Sequence, residues 1–108
     1  MDADTYQQHA MRTCDPDRSW EHDLIAGSLG LAGEGGEVAD AVKKHLFHGH
    51  TLDQAHLLKE LGDVLWYVAL LSDALLVSLS TVMEMNITKL QQRYPDGFSR
   101  EQSIHRKE

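Results

Sequence analysis

The segment from Leu57 to Leu75 limits the fold more than any other stretch. Leu57, Leu61, Val64, Val68, Leu71 and Leu75 recur at intervals of three and four, which is helical spacing. Leu58, Leu65, Trp66, Tyr67, Ala69 and Leu70 carry apolar character nearly all the way round. A helix apolar on most faces lies at the centre of its assembly. A chain of 108 residues fits one domain and encloses only a modest core by itself. Part of that apolar surface is therefore expected to meet another subunit. No stretch sustains the two-residue alternation of a half-buried strand, and Pro16 and Pro95 both fall outside the long periodic segments. The expected class is all-α, a four-helix bundle that oligomerises through its helices.

The first helix is expected over roughly Asp4–Thr13, followed by the polar loop Asp15-Pro16-Asp17-Arg18-Ser19. The second runs from Trp20 or Glu21 to Phe47, with Gly49 as the stop because glycine accepts the left-handed conformation after a helix end. The third opens with Thr51-Leu52-Asp53-Gln54, which has capping-box spacing with Thr51 as the cap, and reaches about Leu75. The fourth starts after Ser78, its N-cap, and ends before Pro95. Residues 1–98 form the domain, and a polar, frayed tail covers 99–108. Within the second helix, Gly27, Gly30, Gly33, Gly35 and Gly36 each cost about 1 kcal/mol against alanine. Either a neighbouring helix or a ligand approaches closely there, or Gly33 and Gly35-Gly36 mark a break between two helices.

Charge narrows the function classes. Seventeen acidic and ten basic residues give a net charge of −7, against a general nucleic-acid binder, which needs a basic face. Cys14 is the sole cysteine, which excludes an intrachain disulfide and a cysteine-based zinc site. Met1–Ala10 has no apolar core segment of the kind a signal peptide carries. The longest apolar run, Val64–Leu71, is far too short to span a bilayer. A cytoplasmic protein is expected (in the host cytoplasm for a phage-encoded chain), with no membrane partner.

Chemistry concentrates in two carboxylate pairs. Glu34 and Glu37 are three residues apart, as are Glu60 and Asp63, so each pair shares one side of its helix. The residues four positions after Glu34 and Glu60 are Val38 and Val64, not cations. Glu60 sits at the edge of the most apolar arc in the chain, where an unpaired carboxylate is penalised. A lone E-x-x-E is an ordinary solvated face. Two pairs on adjacent antiparallel helices make a four-carboxylate cage suited to Mg²⁺, with Mn²⁺ as a substitute. A di-iron bundle needs E-x-x-H, and Glu37 and Asp63 stand where histidines belong.

On the fourth helix, Asn86, Lys89 and Arg93 form a polar stripe beside the apolar face of Leu79, Val82, Met83, Ile87, Leu90 and Tyr94. Cations of this kind suit a triphosphate; a solvated stripe is the plainer alternative. His45, His48, His50 and His56 read as solvated histidines near a helix C-terminus, and Trp66 and Tyr67 as core.

With these residues in place the chain resembles the MazG-like all-α nucleoside triphosphate pyrophosphohydrolases, kin of the dimeric dUTPases. Their E-x-x-E, spacer, E-x-x-D pattern reads here Glu34-Gly35-Gly36-Glu37, then 22 residues (38–59), then Glu60-Leu61-Gly62-Asp63. Gly30-Leu31-Ala32-Gly33, Val38-Ala39-Asp40, Val64-Leu65-Trp66-Tyr67, Asn86-Ile87-Thr88-Lys89-Leu90 and Arg93-Tyr94-Pro95-Asp96-Gly97-Phe98 also look like the family, as does the opening Tyr6-Gln7-Gln8 with Arg12-Thr13. Many relatives carry glycine where this chain has Leu76. The resemblance implies Mg²⁺-dependent hydrolysis of a (d)NTP to (d)NMP and pyrophosphate, for house-cleaning or control of the dNTP pool, with dGTP among the candidate substrates. It places Glu34 and Glu37 in the catalytic set, Glu34 as ligand and activator of water. Glu34, Glu37, Glu60 and Asp63 would hold metal, and Asn86, Lys89 and Arg93 the phosphates or sugar. Trp20 and His22 are candidates for the base pocket, and a homodimer or homotetramer is implied. Two other classes stand beside this one: a catalytically silent oligomerisation or regulatory module, and a di-metal redox bundle.

Overall fold

In the computed structural model, which describes residues 1–106, five helices follow one another: α1 (Ala3–Met11), α2 (Trp20–His48), α3 (Gln54–Ala74), α4 (Leu79–Arg93) and α5 (Arg100–Ile104). No strand occurs among the described residues, and the architecture is all-α. Each helix starts where a short polar side chain takes up an orphan N–H. Asp2, Ser19, Asp53, Ser78 and Ser99 accept from the amides of Thr5, His22, His56, Thr81 and Gln102. The expected cap of the third helix moves from Thr51 to Asp53, whose carboxylate accepts from the His56 N–H at 3.1 Å. Gly49 ends α2 at φ 74°, the left-handed cap expected of it. The frayed tail is corrected in part: Ser99 starts the one-and-a-half-turn α5, while residues 107 and 108 lie outside the described residues.

The glycine-rich stretch does not break α2, which is continuous from Trp20 to His48. Two of its glycines serve the packing of α2 on α3. A β-carbon at Gly27 would lie 2.7 Å from Leu71 Cδ2, and one at Gly30 would overlap the Tyr67 ring. Gly33, Gly35 and Gly36 have no neighbour within 4 Å of such a carbon.

The α3–α4 corner is knitted by α1. The Gln7 side chain, buried, donates to the carbonyls of Ala69 (3.4 Å) and Val77 (3.3 Å) and accepts from the Leu79 N–H at 2.8 Å. One amide therefore ties a carbonyl of α3 and one of the 75–78 turn to the first N–H of α4, a group that the helix cannot pair internally. Asp4 accepts from the N–H and hydroxyl of Ser80 at 3.0 and 2.8 Å. Trp66 Nε1 donates to the Ala10 carbonyl (3.2 Å) and the Thr13 hydroxyl (2.9 Å), fixing α1 against the middle of α3. Arg18 bridges Asp23 at the start of α2 (2.8 Å) and Asp73 at the end of α3 (3.2 Å).

The core is small and sits at this corner: Ala10, Ala69, Leu70, Ala74 and Leu79 are its buried apolar residues. The other half of α3 is bare. Leu58 is 59 % exposed, and Leu61 and Leu65 are exposed beside it. On α2, Ile25 and Leu29 are 61 % and 68 % exposed. The α3 stripe expected to be buried is thus covered only toward its C-terminal end within one chain. Among the described residues no single helix is long and apolar enough to cross a membrane, and α4 leaves α3 at a bend of 100°.

Candidate active site

Glu34 on α2 and Glu60 and Asp63 on α3 come together where the two helices pack. Each offers a carboxylate oxygen, and these oxygens all lie within 4.8 Å of one another. Glu34 and Glu60 are half-buried and Asp63 is exposed. Glu37 does not join the group and is exposed. Members of such a pair point about 60° apart, since three residues advance a helix by about 300°; that offset leaves both Glu60 and Asp63 within reach of Glu34 but turns Glu37 away from them. With Glu34 turned toward α3, Glu37 faces solvent, and only its charge reaches Glu34.

The electrostatics follow from the crowding. A hydrogen bond to the Glu60 carboxylate holds a proton on Glu34 above the ordinary carboxyl range, assisted by partial desolvation and by the charges of Glu60, Asp63 and Glu37. Close carboxylates disfavour mutual ionisation. One oxygen of Glu60, Oε2, is buried without a hydrogen-bond partner, an arrangement costly enough to call for a ligand. The other, Oε1, lies 3.5 Å from His56 Nε2. Asp63 makes no ion pair among the described residues, and Lys43 and Lys44 pair with Asp40 instead, at 3.3 and 2.9 Å. An orphaned buried oxygen, an all-oxygen donor set and three mutually repelling carboxylates fit a hard divalent cation.

Two neighbours of the cluster were not singled out by sequence spacing. His56 stands four residues before Glu60, a spacing at which helical side chains meet. Tyr6, on α1, feels the Asp63 charge, which together with burial raises its hydroxyl pKa, burial being the larger cause. The α1–α3 contact that brings it there is long-range and carries no local signal.

Asn86, Lys89 and Arg93 lie along α4, away from the carboxylates of the same chain. Asp63 and Lys89 are each thirteen residues from Leu76 at the corner, so with the 100° bend and about 1.5 Å of rise per residue their backbones are about 25 Å apart. Trp20 is likewise distant: fourteen residues of α2 put it about 21 Å from Glu34. It is exposed at the helix start, as is His22, whose Nδ1 lies 3.5 Å from Asp23 Oδ1. Trp66 and Tyr67 pack edge to face, with centroids 5.0 Å apart; the Trp66 N–H is engaged by α1 and the Tyr67 ring lies on Gly30, as core residues do.

The MazG nucleotide pyrophosphohydrolase domain family matches residues 26–98, a span that holds all three clustered carboxylates and the whole of α3 and α4. The chain belongs to the MazG nucleotide pyrophosphohydrolase family. It is also similar to the "Gene 37 protein" of Mycobacterium phage L5, at 41 % identity over 105 residues, covering 90 % of this chain and 92 % of that one. No solved structure matches it. α1 and α5 fall outside the matched MazG span, although α1 supplies Tyr6 beside the cluster and Gln7 at the corner.

Proposed function

We propose that the chain is a Mg²⁺-dependent nucleoside triphosphate pyrophosphohydrolase that cleaves between the α- and β-phosphates. The observation that carries this reading is the group of Glu34, Glu60 and Asp63 on two packed helices, in a chain of a nucleotide pyrophosphohydrolase family. Glu60 and Asp63, with Glu34, would hold the divalent ion; Glu37, on the solvent side of α2, would join through a water or a second ion. The ion would neutralise phosphate charge and acidify water. Glu34, whose carboxyl pKa is raised beside Glu60, would take a proton from water once cation binding has displaced its own. Asn86, Lys89 and Arg93 would hold phosphate and sugar. Since α4 leads away from the cluster of its own chain, these residues serve it from a second copy, in a homodimer or homotetramer. The exposed apolar faces of α2 and α3 support that assembly. The substrate is a (d)NTP, with dGTP a candidate, and the role is house-cleaning or control of the nucleotide pool. The domain proper is 1–98, with the remainder an appendage, and the compartment is the cytoplasm. A panel of standard and modified (d)NTPs with Mg²⁺ tests the reading: monophosphate and pyrophosphate are expected from at least one member. Failure with every member, by a correctly folded and assembled protein, would leave a silent helical module in its place.

A further inference from the structure

The two oxygens of Glu60 have unlike surroundings. Oε1 lies 3.5 Å from His56 Nε2. Oε2 is buried and has no hydrogen-bond partner. The Glu60 side chain is 14 % exposed and the imidazole 56 %, so the contact is made at the rim of the carboxylate cluster. Helix geometry sets the approach. His56 and Glu60 are four residues apart on α3, where side chains meet. The His56 N–H is held by the Asp53 cap at 3.1 Å, which anchors the turn that carries the ring. The helix gains nothing from a histidine there, because its positive end favours anions in the first turn. At 3.5 Å the contact is looser than a formed hydrogen bond, and contacts of this kind tighten as ligand binds.

We propose that His56 is a positioning residue for Glu60: its ring N–H holds Oε1 and leaves Oε2 as the oxygen that meets a divalent cation. The ring proton is then on Nε2. Carboxylates that bind metal are themselves held by hydrogen bonds from the groups behind them, and loss of one such partner costs about 10–100-fold in metal affinity or activity. Without that hold the Glu60 carboxylate turns about its last torsion, which is broad and two-fold, and presents either oxygen. A histidine acting through positive charge instead would repel the cation, so the two roles have opposite signs. The inference rests on the reading of Glu34, Glu60 and Asp63 as a cation site.

The test titrates Mn²⁺ into the full chain at pH 8 without nucleotide, with the free ion read by electron paramagnetic resonance. Wild type, His56→Leu, His56→Gln and Glu60→Gln are compared. Leucine keeps bulk and removes the donor, whereas glutamine keeps an N–H at similar reach. Mn²⁺ affinity is expected to fall about tenfold in His56→Leu and to be largely restored in His56→Gln, while melting curves without metal coincide for all three. Unchanged or tighter binding by His56→Leu, or equal loss in both His56 variants, overturns the proposal and leaves the hydrolase reading standing. A lower metal-free melting point for both His56 variants assigns the histidine to the fold and overturns it too. A wild-type chain that binds no Mn²⁺, or binding undiminished by Glu60→Gln, overturns the cation site itself and the proposal with it.

Discussion

Asp63 tests most simply whether the carboxylates are there for a cation or for the fold. It makes no ion pair among the described residues, and its neighbours in the cluster share its charge. Asp63→Asn keeps size and helix surroundings, so metal-free stability should stay level or rise, by about 1 kcal/mol at most for so exposed a group. Stabilisation by Mg²⁺ and turnover should fall together, turnover by about a hundredfold, since even groups behind metal ligands cost about 10–100-fold. Melting curves with and without Mg²⁺, beside a rate assay, decide it; a lower apo melting point with normal turnover would make Asp63 structural. Glu34 supplies a pH dependence. Its folded pKa lies above the ordinary value of 4.5, so its contribution to apo stability is present below that value and is lost as pH rises through the raised pKa. Cation binding must expel the same proton, so Mg²⁺ affinity should rise with pH across that window. Calorimetry in buffers of different protonation enthalpy should detect proton release near the raised pKa; uptake independent of pH from the ordinary carboxyl range upward would remove Glu34 from the ligand set. At this scale the sequence disclosed Glu34, Glu60 and Asp63 through spacing, but it gave Glu37 equal standing because spacing of three does not say which member faces the partner helix. His56 was legible at four residues from Glu60, but a histidine near a helix start reads as solvated unless the partner's burial is known.

At the scale of elements, caps carried most of the information. Ser78, Gly49 and the two prolines mark boundaries that need only local chemistry. The start of α3 was harder, because Thr51 and Asp53 both offer capping oxygens and local chemistry does not choose between them. α5 was illegible, since five residues hold no apolar period. The α3–α4 corner has a strained hinge. Leu76 adopts φ 60°, and the Val77 N–H returns to the Ser72 carbonyl at 3.0 Å, the pattern in which glycine is favoured. Its side chain is 91 % exposed, so packing within the chain does not explain the leucine. The left-handed conformation costs an L-residue about 1–2 kcal/mol, and Leu76→Gly should raise stability by about 1 kcal/mol after the added freedom of the unfolded chain. Chemical denaturation measures it; a clear loss of stability would mean that Leu76 packs against something outside the single chain.

The molecule as a whole has a core too small for its apolar surface. Burial of about 25 cal/mol per Å² drives association when faces like those of Ile25, Leu29 and Leu58 meet a partner. Light scattering should therefore give a multiple of the 12.2 kDa chain, a dimer or tetramer, and a stable monomer at micromolar concentration would reject the proposal that Asn86, Lys89 and Arg93 serve the carboxylates of a second copy. The sequence signalled this surplus through the nearly all-round apolar α3, but not which half of it one chain would leave bare, because that depends on where α1 crosses. The proposed reaction breaks one bond, and isotope-resolved phosphorus NMR reads it directly. With a (d)NTP and Mg²⁺ in ¹⁸O-enriched water, the account predicts monophosphate and pyrophosphate, with the label in the monophosphate, as attack at the α-phosphorus requires. Orthophosphate with a nucleoside diphosphate, or label in the pyrophosphate, would contradict it.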